Sequence, residues 1–250
     1  MLIRDFVRKR LPGNVLRAIR AFRARMAESQ YRNLTNEQIV TKIYRDGVWG
    51  SAGNSGQQFC SGIGSHEQEI VDGYTAAVQG FLSSLQYKPD AVDLGCGDFH
   101  VGSRIRGLCG TYVACDIVPG LIDFNRERFK DLDVDFRVLD LSIDPLPAGE
   151  VVFVRQVLQH VSNRDILNVV PKIASSYRYL VLTEHLPGSD DFVPNLDKAV
   201  GPGIRLTSGS GIVLTAEPFN LRPRSERVLC ELPDGGPYGG RVRTNLYELS

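Results

Sequence analysis

Strand-like and helix-like segments alternate through the middle of this chain, a glycine turn follows the first strand-like run, and two β-rich runs lie together near its C-terminal end. These three observations predict an α/β protein with a doubly wound sheet, parallel in its body and closed by an antiparallel C-terminal hairpin. Parallel neighbours need a helical crossover between them, whereas consecutive strands joined by a short turn pair antiparallel.

Residues 1–32 carry Arg4, Arg8, Lys9, Arg10, Arg17, Arg20, Arg23, Arg25 and Arg32 against only Asp5 and Glu28. After the apolar start Leu2, Ile3, Phe6 and Val7, the residues Val15, Ile19, Phe22 and Met26 recur at helical spacing. A basic amphipathic helical segment is expected here, of the kind drawn to anionic lipid. The plainer reading is a helix packed on its own domain or on a partner subunit, with solvated arginines. Residues 33–45 read as a second short helix, opened by Thr35 with Gln38 three residues later. Gly47–Gly53, continuing to Cys60–Ser65, is rich in glycine and serine yet holds Trp49, the single tryptophan. A pure linker has little use for a tryptophan, so this stretch is expected to be an ordered loop folded over something. Residues 67–85 then repeat Ile70, Val71, Tyr74, Ala77, Val78, Phe81 and Leu82 on a helical face.

Strands are expected at Ala91–Leu94, Tyr112–Cys115, Val134–Leu139, Val151–Val154 and Tyr179–Thr183, with helices near Val101–Leu108, Leu121–Phe129 and Arg164–Ser176. The stretch from Pro187 to Phe219 is long for a loop in a compact domain, and such loops are usually functional or disordered. Arg227–Leu232 and Val242–Leu249, separated by a Pro/Gly-rich turn, form the expected hairpin. The chain is thus organised as a basic segment (1–32), a helix plus loop (33–66) and an α/β domain (67–250).

With 250 residues, 42% of them hydrophobic, one good core is within reach. Five cysteines, an odd number with no Cys-x-x-Cys pair, predict buried thiols in a reducing cytoplasm and no metal site. No run approaches the roughly 18 apolar residues of a membrane span, and no secretion signal opens the chain, so a cytoplasmic protein is expected, with peripheral contact at the inner membrane face through residues 1–32. Because the formal net charge is zero, the remainder of the chain is acidic, and it shows no aromatic-basic platform; nucleic acid is not an expected partner. An oligomer is compatible with the sequence.

The chemistry concentrates at strand ends, where open α/β sheets bind their ligands. Ala91-Val92-Asp93-Leu94-Gly95-Cys96-Gly97-Asp98 runs from a strand into a glycine turn, and Val113-Ala114-Cys115-Asp116 ends the next strand in an acid. The spacing lacks the third glycine of the dinucleotide fingerprint, and no Tyr-x-x-x-Lys pair accompanies it, which argues against a nucleotide-sugar dehydrogenase or epimerase. Asp-x-Gly-Cys-Gly with an acid closing the following strand resembles the first motif of the class I S-adenosylmethionine-dependent methyltransferases, a likeness extending over residues 67–250. That resemblance implies the Rossmann-like strand order 3-2-1-4-5-7-6 and S-adenosylmethionine as cofactor, with S-adenosylhomocysteine as product. It also implies that Gly95 and Gly97 pass beneath the methionine portion, that Asp93 faces its amino group, that Asp116 beside Ile117 takes the ribose hydroxyls, and that Asp140 beside Leu141 meets the adenine amine. Taken singly, Asp116 or Asp140 reads as a turn former; three acids at three successive strand ends favour the ligand.

The fourth strand runs into Arg155-Gln156-Val157-Leu158-Gln159-His160-Val161-Ser162-Asn163, which resembles a run in bacterial small-molecule and sugar methyltransferases. By that likeness Arg155 lies at the cofactor and Gln156 and Gln159 at the acceptor. Trp49, Ser61 and Ser65 resemble the Trp-Gly-Ser lead-in of methyltransferases of polysaccharide or glycolipid pathways, where the segment covers the cofactor. Removing a hydroxyl proton calls for a base near neutral pKa, so His160 and, after the fifth strand, His185 are the candidate catalytic residues, each otherwise a structural hydrogen-bonder. His66 and His100 are set aside. Glu184, Asn195, Lys198, Arg205 and Arg243 are candidate substrate contacts, or else solvated polar groups.

The expected function is O-methylation of a sugar hydroxyl on a glycan or glycolipid precursor. The alternatives are methylation of another small metabolite or of a nitrogen, for which an Asn-Pro-Pro-aromatic motif is missing, and a non-catalytic methyltransferase-like binding module. No metal is required by any of these residues.

Overall fold

The computed structural model describes residues 30–50, 59–62, 65–234 and 239–249. The basic segment therefore lies outside the described residues, except for residues 30–32, and so does the middle of the Gly/Ser-rich loop. The chain divides after Thr35, and residues 36–250 form one compact unit. From Asn36 onward, the described residues of the helix-plus-loop segment lie in that unit together with the sheet.

Seven strands make one sheet: β1 (Ala91–Leu94), β2 (Tyr112–Asp116), β3 (Asp135–Val138), β4 (Val151–Arg155), β5 (Tyr179–Pro187), β6 (Ser225–Pro233) and β7 (Gly240–Glu248). Their order is β3-β2-β1-β4-β5-β7-β6. The first five pair in parallel, while β7 pairs antiparallel with both β5 and β6. This is the class I methyltransferase fold, with the hairpin inserted by its second strand.

Helices α1 (Asn36–Arg45), α2 (Gln68–Ser84), α3 (Gly102–Ile105), α4 (Pro119–Arg128) and α5 (Asn163–Ser176) complete the unit. Period-2 alternation on the strands sends side chains to two cores. On one face Val92, Leu94, Val152, Val154, Leu180 and Leu182 meet Ile166, Val169 and Ile173 of α5. On the other, Ala91, Tyr112, Phe153 and Val181 meet Val71, Tyr74, Val78 and Phe81 of α2, with Ile105 and Ile122. Each buried Val, Leu or Ile contributes roughly 1.5–3 kcal/mol. Ser162 caps α5 by accepting from the Asp165 amide, as its sequence position before an apolar periodic run requires.

Several bounds differ from the sequence reading. The single helix expected over 101–108 is α3 followed by a 3-10 turn at Arg106–Leu108, with Gly102 opening α3 and Gly107 in the middle of the turn. β5 runs on to Pro187 because β7 supplies antiparallel partners along its whole length, with His185 opposite Val242. His185 is therefore inside the strand rather than beyond it. Nothing in the local pattern of residues 179–187 could report a partner some sixty residues away.

Candidate active site

The strand ends of β1, β2, β3 and β4 surround a cavity of about 220 Å³, walled on the N-terminal side by α1, Trp49, Ser61, Gly62 and Ser65. Its floor is the glycine turn. Gly95 and Gly97 adopt φ of 80° and 56°, the left-handed region that side chains avoid. A Cβ on Gly95 would run into Val157, and one on Gly97 into Ser61. Glycine at both positions thus allows the left-handed turn and the close packing of Val157 and Ser61 against it.

Asp116 ends β2 beside this turn and is 7% exposed. Its Oδ2 accepts from the Gly97 amide at 3.1 Å and its Oδ1 from the Val118 amide at 3.1 Å. Burial pushes its carboxyl up to about 6 in spite of these donors. Asp93 accepts from the Tyr112 hydroxyl at 3.2 Å, and burial raises it further, to about 7. Asp140 closes an Asx turn over the Ser142 amide and hydroxyl, at 2.9 and 2.6 Å, and with Ile117, Leu141 and Ser142 it lines the far wall. Arg155 stacks its guanidinium 5.2 Å above the Tyr74 ring and donates to Ser65 Oγ at 3.1 Å.

At the mouth of β4, Gln156 sits at φ 56°, a conformation that strains a non-glycine residue and turns its side chain toward the cavity. Gln156 Nε2 is buried without a hydrogen-bond partner. The 3-10 turn Leu158–His160 follows. Gln159 Oε1 takes His185 Nδ1 at 2.9 Å. An amide oxygen only accepts, so Nδ1 carries the proton and Nε2 holds the free lone pair. Asp234 Oδ2 stands 3.8 Å from Nε2, close enough to favour the protonated ring, while burial pulls the His185 pKa down. His160 is different. Burial, followed by the charge of Lys198, drives its pKa down to about 3, and its Nδ1 is buried without a hydrogen-bond partner. The Trp49 ring lies 4.8 Å from it and donates through Nε1 to the Pro202 carbonyl.

The structure thus brings to one cavity Trp49, Ser61, Ser65, Asp93, Gly95, Gly97, Asp116, Ile117, Asp140, Leu141, Arg155, Gln156, Gln159, His160 and His185. Five expected substrate contacts are absent from its lining. Glu184 is 2% exposed and accepts from the Leu158 and Gln159 amides. Arg205, also 2% exposed, donates to the Leu158 and Val161 carbonyls, each at 2.8 Å, and to Asn163. These two residues grip the amide and carbonyl ends of the turn that bears Gln159 and His160, so they frame the site instead of facing it. Asn195 staples the long loop through Val213 and Glu217, and Lys198 Nζ is bound to the carbonyls of His160, Ala199 and Gly201. Arg243 points to Glu231 on the outer hairpin and to Asp190 in the loop after β5.

Sequence reasoning passed over Tyr44, Tyr74, Asp98 and Ser142, all in the lining, and set aside His66, which bonds to Asp98. The one local signal was that Asp98 belongs to the glycine turn itself.

Residues 92–174 match the family model for a methyltransferase domain. That match spans β1 through nearly all of α5, the part of the chain that builds the glycine turn, the acids and the histidine turn. No curated protein matches the chain by sequence. Among solved structures, the methyltransferase domain and its flanks are similar to magnesium protoporphyrin IX methyltransferase (ChlM) from Synechocystis PCC 6803 with bound SAM, at 13% identity and a TM-score of 0.53, covering 87% of this chain and 99% of that one. N-methyltransferase NodS from Bradyrhizobium japonicum WM9, in complex with S-adenosyl-L-homocysteine, gives 12% identity and a TM-score of 0.52 over 73% of this chain and 89% of that one. The bifunctional kinase-methyltransferase WbdD gives 16% and 0.51 over 72% and 39%. At such identities the shared property is the fold. Among the described residues no group of His, Cys, Asp and Glu could hold a metal ion, and no helix is long and apolar enough to cross a membrane.

Proposed function

We propose that this methyltransferase-fold protein uses S-adenosylmethionine to methylate a hydroxyl oxygen, most suitably on a sugar. The cavity fits the cofactor: a left-handed glycine turn, an acid at or near each of three strand ends, and the Arg155 guanidinium beside Ser65. Asp116 would receive the ribose hydroxyls on the lone pairs its backbone bonds leave free, Asp93 would face the ammonium, Asp140 the adenine amine, and Arg155 with Ser65 the carboxylate. When bound, the sulfonium supplies a methyl group on a good leaving group, so the protein's task is chiefly positioning.

The observation that carries the reading is His185. Its Nδ1–H is tied to Gln159 Oε1, its Nε2 lone pair is available, and Asp234 stands by to stabilise the ring once it gains a proton. A hydroxyl placed at the cavity mouth would give its proton to Nε2 as its oxygen takes the methyl group. His160, held near 3, is too weak a base at neutral pH and serves instead as a wall beside Trp49. That indole offers a flat face for the C–H surface of a sugar, and the unpartnered Gln156 amide supplies a donor for a hydroxyl or ring oxygen. Residues 1–32 would carry the protein to an anionic lipid surface bearing the acceptor; a chain lacking them should no longer sediment with phosphatidylglycerol vesicles, and a full chain that never does so removes that part of the proposal.

The test is calorimetric titration with S-adenosylmethionine, S-adenosylhomocysteine and, as control, NAD, followed by transfer of labelled methyl to sugars and sugar nucleotides. Binding of the sulfur nucleosides alone, with label in an alkali-stable ether, is the expected result. An alkali-labile ester or a methylated amine would refute hydroxyl transfer, and no binding would leave a non-catalytic module.

A further inference from the structure

Asp98 follows Gly97 in the glycine turn, and its side chain reaches to residues 61 and 66. It is 2% exposed, and an isolated buried carboxylate is costly. Its partners lie mostly outside the turn. Oδ2 accepts from the Ser61 amide at 3.2 Å and bonds to His66 Nε2 at 2.6 Å, while Oδ1 accepts from the nearby His100 amide at 3.3 Å. The Asp98 amide in turn donates to Ser61 Oγ at 2.6 Å, and Ser61 Oγ is 3.1 Å from the Tyr44 hydroxyl. Tyr44 packs edge-on against Trp49, with ring centroids 5.2 Å apart, and against Phe59 at 5.7 Å. One carboxylate therefore joins the glycine turn to residues 61 and 66, and through Ser61 to the aromatic wall formed by α1 and Trp49.

We propose that Asp98 is a positioning residue that latches this N-terminal wall onto the glycine turn and so controls how fast the sulfur nucleoside leaves. The inference rests on the cofactor reading above. With Ser61 pressed on Gly97, so closely that a Cβ there has no room, the wall covers the floor of the cavity from the outside. Bound ligand can exit only when the Ser61 and His66 contacts to Asp98 part. His66 is outside the cavity lining, which separates latching from direct ligand contact.

The chain's single tryptophan lies on the wall, so its emission reports the wall's position. S-adenosylhomocysteine preloaded on the full chain is displaced with excess S-adenosylmethionine in a stopped-flow instrument, following Trp49 fluorescence. Asp98→Asn and His66→Leu should each speed release about 10-fold, the lower end of what one charge-assisted hydrogen bond contributes, with a red-shifted Trp49 emission and unchanged far-ultraviolet circular dichroism. The double variant should add little to the faster single one, because both remove the same contact. Release at the wild-type rate with unmoved emission in His66→Leu overturns the latch, and that variant decides the matter should Asp98→Asn fail to fold. A wild-type chain that binds neither nucleoside defeats the cofactor reading instead; the latch is then judged by Trp49 emission and amide exchange at residues 59–62 in the ligand-free His66→Leu chain, where wild-type values refute it.

Discussion

Replacing Asp116 with asparagine separates two roles that one carboxylate performs. Both oxygens are committed to backbone amides, Oδ2 to Gly97 and Oδ1 to Val118. Asparagine keeps one acceptor and aims its NH2 at the other amide, leaving a buried donor unpaired at about 1–3 kcal/mol. In a chain of this size about 2–4 °C of Tm is lost per kcal/mol, so the ligand-free variant should melt roughly 2–12 °C lower. The second effect falls on binding. A ribose hydroxyl donating to a charged acceptor is worth about 1.5–3 kcal/mol, and losing one of the two should weaken S-adenosylhomocysteine about 10–150-fold. Differential scanning fluorimetry reads the first effect and isothermal titration the second. A variant that melts low but binds with wild-type affinity would show Asp116 to be a turn former only, and would refute the ribose assignment.

Cofactor affinity should also depend on pH. Burial raises Asp93 to about 7 and Asp116 to about 6, so the free protein still holds protons that must leave before a cation and two hydroxyl donors can bind. Affinity for S-adenosylhomocysteine should rise across about pH 5.5–7.5 with proton release, while these two groups make the ligand-free fold less stable as pH climbs through the same window, because the folded state binds more protons than the unfolded one; a dissociation constant that does not change from pH 5.5 to 8 contradicts this. His185→Gln should lower kcat by about 100-fold or more with little change in nucleoside affinity, and His160→Gln much less, so a His160→Gln chain with the larger loss reverses the assignment of the base. Arg205→Met strips the Leu158 and Val161 carbonyls of their donor and should cost about 1–3 kcal/mol for each acceptor left unpaired. Thermal melting within 2 °C of wild type would show that Arg205 does not frame the turn.

The fold was legible because its signals are local and repeated. Alternating strand and helix periods, Gly95 and Gly97 where the backbone turns left-handed, and acids at positions 93, 116 and 140 each follow from a few adjacent residues. The same holds for Arg155, Gln156, Gln159 and His160, which one strand end delivers together. The expected substrate contacts show the limit. Glu184 and Arg205 are polar residues of opposite sign near strand ends, a pattern that fits a substrate clamp and a backbone clamp equally well. Only their three-dimensional setting shows that they hold the ends of the Leu158–His160 turn.

What the chain determined by itself, then, was the sheet, its glycine turn and the row of acids, since backbone conformational preference and hydrophobic period act over neighbouring residues. The tertiary structure decided how the surroundings of the two histidines differ: Gln159 from one strand end and Asp234 from the hairpin converge on His185, whereas burial depresses the His160 pKa. It also decided that Asp98 reaches back to Ser61 and His66, across 37 and 32 residues. Burial, too, is a property of the assembled whole: desolvation lifts Asp93 and depresses His160, and no residue carries its own dielectric in its sequence neighbourhood.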